Sequence, residues 1–168
     1  MPDYVDLDPA FLPILNHCRS ATMTSVERLY ALYKAVGYLT AAGIVGDVVE
    51  CGVWRGGSMM CAALSLLQNN DSGRQLYLYD TFAGMAAPDP VDVDLGGRPA
   101  TGLLASEPRT ENSHIWAYAP LETVQRNIAS TGYPDHRATY VRGAVEETIP
   151  GIMPDAIALL RLDTDWHA

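Results

Sequence analysis

The chain predicts an α/β fold with a mostly parallel sheet, and three observations lead there. Short strand-like apolar runs alternate with helix-like segments along most of its length, the pattern that parallel strands joined by crossover helices produce. The stretch Asp47 to Ser58, DVVECGVWRGGS, passes from an apolar pair through an acid into three glycines and then a long apolar segment. It reads as strand, tight turn and helix. Farther on, the run AIALLRL from Ala156 to Leu162 is apolar almost throughout, which suits a strand covered on both faces of a parallel sheet. At 168 residues one domain is expected, large enough to bury roughly 70% of the surface its unfolded chain exposes.

In order, residues 1–22 read as an N-terminal leader with two early prolines and a helix-like patch, Phe11 to Cys18, covering a ligand site or a neighbouring subunit. The main domain is expected over 23–168. Thr24 and Glu27 have the spacing of a capping box, and Leu29, Leu32, Tyr33, Val36 and Leu39 repeat at helical period up to Gly43. After the glycine turn, Met59 to Gln68 is apolar nearly all round, a buried helix that Asn69 to Gly73 ends. Leu76 to Tyr79 is a second strand with Asp80 at its end, and Thr81 to Met85 a short turn.

Residues 86–119 are rich in proline, glycine and acid without a lasting period, so they predict a lid-like insertion in which Trp116 and Tyr118 anchor the segment or line a pocket. Pro120 suits the first position of a helix whose apolar face is Leu121, Val124 and Ile128, with Gly132 to cap it. Thr139 to Arg142 is a third strand closed by Gly143, Val145 to Ile149 a brief helix before Pro150, and Ala156 to Leu162 a fourth strand ending in Asp163, Thr164 and Asp165.

The chemistry concentrates in the glycine turn. Glycine serves where the backbone takes positive φ or passes close to a ligand, and the helix start beyond it offers unpaired N–H groups. The spacing G-x-x-x-G-G departs from the dinucleotide pattern, and Asp80 lies farther on than the ribose-binding acid that pattern needs. Glu50, two residues before the first glycine, together with Asp80 closing the next strand, instead suits S-adenosylmethionine. The turn then faces the methionine moiety, and Asp80 accepts from both ribose hydroxyls. The plain alternatives are a structural β-turn-α junction and an Asp80 that only caps a helix.

A formal net charge of −9 argues against a nucleic-acid partner, which needs clustered Lys and Arg. Cys18, Cys51 and Cys61 are odd in number and two of them fall in core segments, so they read as reduced residues of a cytoplasmic protein. No apolar run approaches the roughly 20 residues of a membrane span, so no membrane association is expected.

Five blocks in order, VVECGVWRGGS, LYLYDTFAGM, LETVQRNIASTGYP, YVRGAVEETIP and IALLRLDTDW, spread between Met23 and Trp166, resemble the macrocin O-methyltransferase (TylF-like) family. The resemblance implies a Rossmann-like class I methyltransferase fold, S-adenosylmethionine, a divalent cation that is usually Mg2+, and methyl transfer to a hydroxyl of a natural-product sugar or related small molecule; a homo-oligomer is expected. Carried over by position, Glu50, Gly52, Val53, Trp54, Arg55, Gly56, Gly57 and Ser58 hold the methionine end. Asp80 holds the ribose, Thr81 and Phe82 flank it, and Gly143 and Ala144 lie near the adenine. Asp163 becomes a metal ligand and candidate general base, with Asp165 as the alternative carboxylate. An alcohol with a pKa near that of water, ~15.7, needs such help to lose its proton.

The resemblance also implies a sheet ordered 3-2-1-4-5, with the remaining metal ligands beyond strand four. The chain stops at Ala168, so an incomplete sheet is expected, with an open strand edge that self-associates and no activity in isolation. The alternatives are a non-catalytic S-adenosylmethionine or nucleotide-binding module and an NAD or nucleotide-sugar oxidoreductase.

Overall fold

The computed structural model describes residues 6–149 and 151–164. The start of the leader, Pro150 and the alternative carboxylate Asp165 therefore lie outside the described residues.

Among the described residues four strands form one sheet: β1 (Asp47–Cys51), β2 (Leu76–Asp80), β3 (Ala138–Arg142) and β4 (Ile157–Leu162). Every pairing is parallel, and the order is β3-β2-β1-β4, as the 3-2-1-4 part of the expectation has it. Among the described residues six α-helices accompany them: α1 (Phe11–Cys18), α2 (Val26–Ala41), α3 (Gly57–Gln68), α4 (Ala100–Ala105), α5 (Leu121–Ala129) and α6 (Val145–Thr148).

The alternating strand residues divide the interior in two. Val48, Leu76 and Leu78 point into the main core, where they meet Phe11 and Leu15 of α1, Leu29 and Val36 of α2, Met59 and Leu66 of α3, and Val124 and Ile128 of α5. Their neighbours Val49, Cys51 and Tyr79 point to the other face and join Val141 in a small second cluster, against which Val145 and Ile149 pack. Strand order explains the asymmetry. The crossovers β1-α3-β2 and β2-α5-β3 step outward and lay their helices on the main face, whereas the return from β3 to β4 carries only α6.

Four local expectations change. Ser25 rather than Thr24 caps α2, its hydroxyl accepting from the Arg28 N–H at 3.5 Å. Thr24 is one residue too early for a capping box and bonds a side chain elsewhere. Pro120 is the N-cap of α5 and not its first residue. The 86–119 segment contains α4 and a bridge between Val93 and Pro99. Finally, β4 is not buried on both faces: Leu160 and Leu162 are 51% and 66% exposed. Among the described residues β4 pairs only with β1, and α6 lies against the β2 side, so the apolar run lacks cover. The residues of α1, read as leader, belong to the main core; Phe11 and Cys18 are wholly buried.

Candidate functional site

The carboxyl ends of all four strands open into one cavity of about 500 Å³. It sits where the strand order reverses, between β1 and β4, the place where open α/β sheets leave a crevice between diverging connections. Glu50, Gly52, Val53, Trp54, Gly57 and Ser58 form one wall. Asp80 and Thr81 from the end of β2, Gly143 and Ala144 from the end of β3, and Asp163 from the end of β4 complete it. Most of the residues singled out in the sequence thus line one cavity, which residues 21–24, 28, 84–86, 114, 117, 145, 146 and 164 share with them. Arg55, Gly56 and Phe82 do not line it. Gly56 is the left-handed N-cap of α3 at φ 82°, Phe82 is buried in the main core, and Arg55 turns outward to the Ser20 and Glu111 carbonyls while stacking 4.7 Å from the Trp54 ring.

Two glycines are required by close approach. Gly52 has φ 80° and lies so close to the Asp163 carbonyl that a Cβ would overlap it. At Gly57 a Cβ would come within 2.5 Å of the Ala21 carbonyl, to which the Gly57 N–H donates at 2.9 Å. The turn is thereby pinned between β4 and the segment ahead of α2. Trp54 and Phe82 also take positive φ, 46° and 51°, a conformation that costs a non-glycine residue on the order of 1–3 kcal/mol and collects at functional sites.

Asp80 holds this geometry. Its Oδ2 accepts from the Val53 and Trp54 N–H groups at 2.7 and 3.2 Å, and its Oδ1 from Phe82 N–H at 2.8 Å. A carboxylate has about four lone-pair sites, so three of them are taken by the two loops. The Thr81 hydroxyl is nearer the Gly84 carbonyl, at 3.1 Å, than Oδ1, at 3.5 Å, so capacity for about one further donor remains.

Glu50 is the opposite case. It is 1% exposed, its Oε1 is paired with Arg161, and its Oε2 has no partner although it is buried in the cavity wall. Burial pushes its carboxyl up to about 8 against the pull of Arg161, and the carboxylates of Asp163 and Asp80 add to the rise. Arg161 also reaches Asp163 Oδ2 at 2.9 Å, so two acids share one guanidinium. Among the described residues no three His, Cys, Asp or Glu side chains gather as a metal site.

Sequence reasoning missed three basic side chains here. Arg161 was hidden inside an apolar run, where a single charge was itself a signal. Arg28, on the first turn of α2, and His114, with its ring 5.8 Å from that of Trp54, both line the cavity but carry no distinguishing spacing.

Residues 16–168 match the family described as macrocin O-methyltransferase (TylF). The chain is 32% identical over 170 residues to the 8-demethyl-8-(2,3-dimethoxy-alpha-L-rhamnosyl)-tetracenomycin-C 4'-O-methyltransferase of Streptomyces olivaceus, covering 96% of this chain and 59% of that protein. It is 31% identical to the mycinamicin III 3''-O-methyltransferase of Micromonospora griseorubida, covering 87% and 55%. Among solved structures, the O-methyltransferase NovP superposes with a TM-score of 0.66 at 28% identity, over 86% of this chain and 56% of that one. The calicheamicin methyltransferase CalS11, at 18% identity and a TM-score of 0.53, shares the fold. The chain spans between half and three fifths of the length of the curated relatives it matches.

Proposed function

The chain belongs to the macrocin O-methyltransferase (TylF) family, and from that membership we propose that its cavity binds S-adenosylmethionine for methyl transfer to a hydroxyl of a sugar-bearing natural product or related small molecule. The observation that carries the reading is the Glu50 carboxylate. A buried acceptor without a partner costs free energy, and here it stands in a wall where acid outnumbers cation. A cationic ligand group would satisfy Oε2 and favour the ionised form of Glu50. S-adenosylmethionine, when bound, supplies a methyl group on a positively charged sulfur and presents an ammonium at its methionine end.

The roles of the chain's own residues follow. Glu50 takes the ammonium, and Gly52 and Gly57 keep the wall free of side chains. Asp80 orders the two loops and accepts one ribose hydroxyl. Gly143 and Ala144 flank the base. Asp163, half exposed with only its Oδ2 engaged by Arg161, is placed to take the acceptor's proton. In-line approach of hydroxyl oxygen to methyl carbon is then a matter of positioning. The described residues provide one carboxylate toward Mg2+, itself bonded to a cation, and do not make a magnesium site, so no step is routed through metal.

The acceptor is assigned on the relatives, which by name methylate rhamnosyl-tetracenomycin and mycinamicin compounds. Three free, buried cysteines support a reducing compartment, the cytoplasm. Exposed Ile157, Leu160 and Leu162 support association between copies. No helix of the described residues is long and apolar enough to cross a membrane.

The test is a thermal shift with S-adenosylhomocysteine and, separately, NAD. A rise with the first alone is expected. A rise with NAD alone would favour the oxidoreductase reading.

A further inference from the structure

We infer that Arg161 is a positioning residue for the cofactor cavity: its guanidinium fixes which oxygen of Glu50 faces the ligand and ties down the chain segment that closes the cavity over it. The inference rests on the cofactor reading above. Arg161 does not itself line the cavity. It stands on β4 directly across from Glu50 on β1, and its charge is otherwise out of place in an apolar strand.

Three parts of the chain meet at this one group. Nη1 binds Glu50 Oε1 and Asp163 Oδ2, the latter at 2.9 Å, and Nη2 donates to Thr24 Oγ1 at 2.9 Å. With Oε1 held, Glu50 has only Oε2 to offer. With Thr24 held, residues 21–24 are drawn against the glycine turn, where the Gly57 N–H bonds the Ala21 carbonyl. The planar fork of arginine serves such divergent acceptors at once; the single ammonium of lysine, a point charge, satisfies the carboxylates and loses the hydroxyl. Burial works against the guanidinium charge and the carboxylates of Glu50 and Asp163 overcome it, so its pKa stays raised. Cofactor-side acid, acceptor-side acid and cavity wall are therefore set by one side chain 111 residues away from Glu50 in sequence.

The test is calorimetry of S-adenosylhomocysteine binding to wild type, R161Q, R161K, E50Q and the double variant E50Q/R161Q. R161Q is expected to weaken binding about 10-fold and R161K about 3-fold, while in the E50Q background the same changes add less than about 2-fold, because no carboxylate remains to orient. Equal losses in both backgrounds, or wild-type affinity in R161Q, would overturn the inference. Should R161Q not fold, R161K in the two backgrounds decides in the same way. A wild-type chain that binds no S-adenosylhomocysteine overturns the cofactor reading instead. Hydrogen exchange across residues 20–25 then decides the positioning role: faster exchange in R161K than in wild type upholds it, and identical exchange overturns it.

Discussion

The two faces of the sheet are built on different scales. On the main face four helices bring Phe11, Leu29, Val36, Leu66, Val124 and Ile128 against Leu76 and Leu78, all at 1% exposure or less. On the other, Val49, Cys51, Tyr79 and Val141 have the single turn of α6 and a few partly buried neighbours, and the hydroxyl of Tyr79 donates to the Ile152 carbonyl. The difference shows how the cavity is held. Its glycine-turn wall is an extension of α3 and the segment before α2, so close packing fixes it. Its β4 wall has little packing behind it and is fixed by charge, through Arg161. Apolar contact and ion pairing thus divide one site between them along the line where the two faces meet.

The largest effect expected from breaking this contrast is at α1. Phe11→Ala removes a wholly buried ring from the main core and should cost about 3–5 kcal/mol in urea denaturation. A loss under about 1 kcal/mol would place α1 outside the cooperative core and restore its reading as a leader that covers a ligand site or a neighbouring subunit.

Next comes the joint between the loops. Asp80→Ala leaves the Val53, Trp54 and Phe82 N–H groups without their acceptor. Since hydrogen bonds to charged groups contribute about 1.5–3 kcal/mol, a loss on the order of 3 kcal/mol is expected with no ligand present. Unchanged stability coupled to lost S-adenosylhomocysteine affinity would mean that Asp80 serves the ligand only.

The charged side of the comparison is sharpened by pH. Burial raises the Glu50 carboxyl from its ordinary 4.5 to about 8, so the folded state holds this proton more tightly than the unfolded one. The stability that Glu50 contributes is therefore complete below about pH 4.5 and lost as pH rises through 8. Relative to E50Q, the wild type should become progressively less stable across that window in denaturation at stepped pH. Parallel profiles would show that Arg161 keeps Glu50 ionised throughout.

The smallest change in stability is expected on the thin face. Leu160→Ser with Leu162→Ser alters residues more than half exposed, and surface substitutions of this kind stay within about 0.5 kcal/mol. Size-exclusion chromatography should nevertheless show later elution than wild type. Identical elution would remove these leucines from any contact between copies.

Much of this was legible in the residues. The helical period of Leu29 to Leu39 placed α2 because it fits only one backbone geometry, and the β-forming residues of Leu76 to Tyr79 placed β2. Thr24 shows the limit: threonine three residues before glutamate suits a cap, but Ser25 took that role once the Thr24 hydroxyl had Arg161 to bond. For β4 the apolar run implied cover, yet cover depends on which strand lies beside it and which helix lies over it, and neither is written in AIALLRL.

By itself, then, the sequence determined the order of strands and helices, the glycine-rich turn after β1, and the acids at the strand ends, since these follow from residue type and periodicity. The tertiary structure decided what those acids do. Glu50 and Asp80 look alike in sequence, each an acid after an apolar run, but Asp80 lies beside three backbone donors and is mostly spent on them, while Glu50 lies across from Arg161 with one oxygen unsatisfied. Partners separated by 27 or 111 residues are chosen by strand register and sheet order, which no local pattern encodes.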